Sequence, residues 1–144
     1  MKSRFLGGRS FAAIFALLVA GWSALALANG IDSIPLQPGA KVVRAGTATM
    51  MGGGAASDVV LLRRGTLIVD FDVPAGNELG ISLMTDEQWQ ALSSGRQPSG
   101  SPLTAFVSGI GTRSLTLEKG HYHLVFTSSG QRGWTYSYRL SLRE

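Results

Sequence analysis

The clearest alternation in the chain lies near its end. In "WTYSYRLSLR", residues 134–143, Trp134, Tyr136, Tyr138, Leu140 and Leu142 take one side; Thr135, Ser137, Arg139, Ser141 and Arg143 take the other. A period of two marks a strand with one buried face. "TLIVDFDV", residues 66–73, repeats the pattern, with Leu67, Val69, Phe71 and Val73 set against Thr66, Ile68, Asp70 and Asp72. Leu79, Ile81 and Leu83 alternate with Gly80, Ser82 and Met84. Further strand-like runs fall at 40–45, 58–62, 103–107, 113–117 and 121–128. Turn formers separate them: "RRG", "PAGN", "RQPSGSP" and "SSGQRG". The last of these reads as a hairpin loop joining the final two strands. "TATMMGGGAAS" reads as a flexible loop around Gly52, Gly53 and Gly54. It lacks the Gly-Lys-Ser/Thr ending of a phosphate-binding loop.

One segment breaks the period. In "LMTDEQWQALSSG", Thr85 fits a helix N-cap and Gln88 its N3 partner. Asp86 and Glu87 fall in the first turn, where negative charge suits the helix dipole. Met84 and Trp89 occupy the staple positions, and Gly95 can end the helix as its C′ residue. At about two turns this helix cannot stand alone, so it should lie on a sheet through Trp89 and Leu92. About eight strands and one short helix predict an all-β fold, an antiparallel two-sheet β-sandwich of jelly-roll kind.

The first 28 residues are unlike the rest. Lys2, Arg4 and Arg9 precede an apolar run over 11–28 that ends Ala26-Leu27-Ala28. This reads as a signal peptide over 1–28, cut after Ala28. An extended lead-in over 29–39, "NGIDSIPLQPG", would then precede the sandwich domain, 40–144. Cleavage alters the charge. Of 13 Lys+Arg against 9 Asp+Glu, three basic residues leave with the leader, so 10 face 9. No basic face survives for phosphate contacts, and nucleic acid is not an expected partner. The chain has no cysteine, which excludes a disulfide framework, a thiolate zinc site and a thiol nucleophile. A periplasmic or secreted location is expected, with membrane contact only through the leader before cleavage.

The closing segment "LEKGHYHLVFTSSG", followed by the aromatic strand "WTYSYRLSL", resembles the last half of GOLD-type β-sandwiches. More loosely it resembles bacterial pre-peptidase C-terminal domains. Leu117, Gly120, Tyr122, Leu124 and Phe126 carry the likeness. The resemblance implies a non-catalytic interaction module. Its expected partner is a protein or a cell-envelope component, met through the loops at 52–54 and 96–100. No cofactor is expected.

Both histidines of the chain lie in "GHYHLVF". Alternation puts Tyr122, Leu124 and Phe126 on one face and His121, His123 and Val125 on the other. The imidazoles then sit about 7 Å apart along the strand. Such a pair can chelate copper, zinc or nickel, but further ligands must come from carboxylates, Met or water; Met50 and Met51 qualify by type. The simpler expectation is two solvated strand positions. Asp70 and Asp72, with Asn77 and Glu78 beyond the turn, offer oxygens of the kind calcium takes, or simply a polar strand face. Trp134, Tyr136 and Tyr138 are either a sugar-binding platform or a core stripe, and the stripe fits Leu140 and Leu142 better. Trp89 is the aromatic expected to be partly exposed. The serines have no nucleophile-elbow context, and catalysis is not expected.

Overall fold

A computed structural model describes residues 30–51, 54–128 and 133–144. The eight expected strands form. They are β1 (Lys41–Met50), β2 (Gly54–Leu61), β3 (Gly65–Val73), β4 (Leu79–Thr85), β5 (Leu103–Val107), β6 (Gly109–Leu117), β7 (Gly120–Thr127) and β8 (Trp134–Arg143). The single helix among the described residues longer than one turn is α1, Asp86–Ser93, between β4 and β5. The strands make two antiparallel sheets, ordered β1-β8-β3-β6 and β2-β7-β4-β5. Strands that follow one another in sequence change sheet at every connection except β4 to β5, which is jelly-roll topology. The hairpin expected between β7 and β8 is therefore absent: these strands lie in different sheets, and β8 pairs with β1 and β3. The signal-peptide region, 1–28, lies outside the described residues.

The core is the sum of the inward alternations. Leu67, Val69, Phe71 and Val73 of β3 and Tyr136, Tyr138 and Leu140 of β8 face Leu79, Ile81, Leu83, Leu124 and Phe126 of the other sheet. Tyr136 and Tyr138 are each 1% exposed. Their rings meet Phe126 at centroid distances of 5.4 and 5.3 Å. Opposite them on β1 stand small residues, Ala48 across from Tyr136 and Gly46 across from Tyr138.

The outer face of β3 and β8 is covered as well. A 3-10 turn, Gly30–Ser33, and the chain after it lie against these strands. Gly30 donates its N–H to Asp72 Oδ2 at 2.9 Å, and Arg139 donates to the carbonyl of Ile34 at 2.7 Å. This strap explains why Ile68 and Asp70, both on the outer face of β3, are 2% exposed.

α1 is closed at both ends. Thr85 Oγ1 accepts from the Gln88 N–H while the Gln88 side chain accepts from the Thr85 N–H, a capping box. At the other end Arg96 N–H reaches Ala91 O and Gly95 N–H reaches Leu92 O, with Gly95 at φ +74. That is a Schellman motif, and its left-handed position favours glycine. The box fixes where α1 starts, and so holds its first residue, Asp86, over the outer face of β7.

Candidate metal centre

The two histidines leave β7 on the outer face of their sheet, as the alternation requires. Neighbouring strands supply what the sequence left open. β2 pairs with β7 so that Asp58 stands directly across from His123. On the other side Met84 of β4 stands across from His123. One residue later the chain turns into α1, and Asp86 comes down beside the rings.

The result is an imidazole pair between two carboxylates. Asp58 Oδ1 lies 2.9 Å from His123 Nδ1 and 3.8 Å from His121 Nε2. Asp86 Oδ1 lies 2.5 Å from His123 Nε2, and Asp86 Oδ2 lies 3.1 Å from His121 Nδ1. Each ring thus shows one nitrogen to Asp58 and the other to Asp86. The two rings are 4.7 Å apart by centroid. Trp89 of α1 stacks on His123 at 5.2 Å, 15° from parallel. This cover leaves the His123 side chain 10% exposed, against 39% for His121, 50% for Asp86 and 68% for Asp58. Two solvated strand positions were the simpler expectation. For His123 it fails, because Trp89 and the flanking carboxylates enclose the ring.

The hydrogen bond with His123 holds the Asp86 carboxyl below its ordinary value of 3.8, against the opposing effect of burial, and the fields of His121 and His123 add to the lowering. The two carboxylates bring formal negative charge to the imidazole pair, which a divalent cation would balance.

Asp58, His121 and His123 place one donor atom each within 4.8 Å of one another, and they are the group of this kind among the described residues. Zinc-to-ligand bonds of about 2.0–2.2 Å set tetrahedral donors about 3.3 Å apart. The 2.9 and 3.8 Å separations around Asp58 bracket that value.

The other sequence candidates are placed elsewhere. Asp70 is buried against Arg139, whose Nε and Nη2 approach its Oδ2 at 2.8 and 2.6 Å, and Thr112 donates to its Oδ1. Asp72 receives Gly30, and Asn77 bonds within its own turn to Pro74. Glu78 is exposed. The structure thus corrects the calcium candidate: Asp70 is neutralised by Arg139 and Asp72 serves the strap. The sugar-platform reading is corrected too, since Tyr136 is core and Trp134 packs against it. Trp89 is partly exposed, as expected, and its inner ring face stacks on His123. Met50 is core and Met51 is exposed at 74%.

The sequence did not single out Asp58 or Asp86 as ligands. Asp58 reads as the polar opening of a strand, and Asp86 as a residue serving the helix dipole. Only the β2–β7 register and the start of α1 bring them to the histidines.

No family model matches the chain, and no curated protein matches it. Solved structures with similar folds include PliG, a periplasmic inhibitor of g-type lysozyme from Aeromonas hydrophila, at 16% identity and TM-score 0.45, over 76% of this chain and 91% of that one. The C-terminal domain of A223, a structural protein of Sulfolobus turreted icosahedral virus, aligns at 14% identity and TM-score 0.43, over 73% and 98%. The Tobacco streak virus coat protein aligns at 9% identity and TM-score 0.35, over 77% and 90%. Likenesses at this level assign neither a family nor a function.

Proposed function

We infer that this chain is an exported, non-catalytic β-sandwich module that binds a divalent transition-metal ion. The observation that carries this reading is the convergence of Asp58 Oδ1, His121 Nε2 and His123 Nδ1 on the outer face of β2 and β7. Imidazole suits zinc, copper and nickel, and a carboxylate completes a mixed donor set for that class. The GOLD-type resemblance of the closing strands, which implies a binding module, agrees with this reading.

Ligand binding to the folded state stabilises it by about 2.7 kcal/mol at a hundredfold excess over Kd. A thermal-shift titration of residues 29–144 with Zn²⁺, Cu²⁺ and Ni²⁺ should therefore raise Tm saturably, with Ca²⁺ giving no comparable rise. The rise should vanish in Asp58→Asn and in the His121→Ala/His123→Ala double variant. A wild-type melt indifferent to all three transition metals would end this reading.

A macromolecular partner is a second reading. It rests on the exposed apolar side chains Leu103, Phe106 and Ile110 on the edge strands β5 and β6. Crosslinking in the cell envelope, with Phe106→Glu as the disrupting variant, tests it.

A further inference from the structure

The two imidazoles are presented to two carboxylates, and the two cannot play the same part. A neutral imidazole carries one N–H and one lone pair. Two neutral rings hold two hydrogens, yet four nitrogens face carboxylate oxygens. If Asp86 accepts both hydrogens, both lone pairs point at Asp58. If Asp58 accepts them, the lone pairs point at Asp86. The distances break the tie. Asp86 is nearer to each ring, at 2.5 and 3.1 Å, than Asp58 is, at 2.9 and 3.8 Å. Both oxygens of Asp86 lie 3.1 Å from His121 Nδ1 and its Oδ1 also meets His123, so Oδ2 remains for His121 when Oδ1 serves His123. Asp58 reaches both rings with the same Oδ1.

Resting on the metal reading above, we propose that Asp86 is a positioning residue and not a ligand. Its carboxylate fixes His121 as the Nδ1–H tautomer and His123 as the Nε2–H tautomer. The lone pairs of His121 Nε2 and His123 Nδ1 then converge with Asp58 on the ion. This is the outer-shell carboxylate arrangement that orients metal-bound histidines, built here with one carboxylate serving two rings. The capping box of α1 sets where Asp86 stands, and the Trp89 ring stacked on His123 keeps that imidazole from turning away.

The test pairs a metal-free measurement with a metal titration on the same protein. Imidazole ¹⁵N–¹H correlation spectra of the metal-free chain, at a mildly alkaline pH, report the tautomer of each ring. His121 should show Nδ1–H and His123 Nε2–H, and Asp86→Ala should lose both preferences. Zn²⁺ affinity should fall about 10–100-fold in Asp86→Ala. It should stay near the wild-type value in Glu87→Ala, which removes the neighbouring first-turn carboxylate, bonded to Ser99 and not to the rings.

The reverse tautomers in the wild type would overturn the proposal. So would Zn²⁺ binding that survives Asp58→Asn but is abolished by Asp86→Ala, since Asp86 would then be the ligand. Equal losses in Asp86→Ala and Glu87→Ala would reduce Asp86 to a first-turn charge of the helix and overturn it too. A wild type with the expected tautomers and no affinity for Zn²⁺ would sink the metal reading while leaving the tautomer assignment standing.

Discussion

His123 shows how far a single position can be read before folding. Its side of the strand follows from the alternation of Tyr122, Leu124 and Phe126, and the structure agrees. Its surroundings do not follow, because Asp58, Asp86 and Trp89 come from two other elements. A histidine expected to be solvated is thereby enclosed, and the two carboxylates beside it make it more than a surface residue. Tyr136 is the opposite case: its inward direction and its burial both follow from the stripe it belongs to. Its hydroxyl, however, is buried without a hydrogen-bond partner. A buried unpaired hydroxyl is costly, and removing it can be neutral or better. Tyr136→Phe should melt within about 1 kcal/mol of the wild type or above it, as denaturant titration can show. Burial also raises the Tyr136 ionisation well above its ordinary 10.0. The sign follows directly. A group whose folded value is raised contributes stability that is present below pH 10.0 and is lost as pH climbs towards that folded value. Tyr138, raised likewise by burial, adds to the same loss. Tyr136→Phe should therefore unfold less steeply than the wild type in alkaline melts, and an identical alkaline profile would contradict the burial argument.

Among the elements, α1 is the most legible. Its cap, its N3 partner and its terminal glycine are all local, and each performs the role its position predicts. Thr85→Ala removes the side-chain acceptor for the Gln88 N–H and should cost about 1 kcal/mol in a urea melt. A cost near zero would mean that packing on β4 and β7 alone holds the helix. Strand ends are less legible, for a physical reason. β1 runs on through "GTATM" and β6 begins at Gly109, in segments too small or too glycine-rich to show alternation. Those residues are strand because of what lies across from them. Gly111 is paired with Phe71, and a Cβ there would sit 2.9 Å from the Phe71 ring. The requirement belongs to the partner strand, so a reading of one segment at a time misses it.

The fold class of the whole molecule follows from counting strands and turns, but the pairing does not. β7 and β8 look like a hairpin and are divided between sheets, because β8 is claimed by β1 and β3. The metal centre depends on the same non-local choice, since only the β2–β7 register sets Asp58 against His123. Of all the strand pairs, only β4–β5 joins consecutive strands, and α1 stands between them. Most pairings must therefore close long loops before contacts reward them. Refolding should accordingly fall in the range of milliseconds to seconds typical of all-β sandwiches. Stopped-flow fluorescence from the tryptophans can measure it, and a submillisecond phase carrying the full amplitude would contradict the argument.

The strap at residues 30–39 has a practical geometry. It crosses the outer face of β3 and β8, while the histidines stand on the outer face of β2, β7 and β4. The two faces look away from each other across the sandwich. A tag or tether joined at Gly30 attaches at the back of the molecule. Protein anchored to a resin or sensor chip by that end would turn its imidazoles towards the flowing solution.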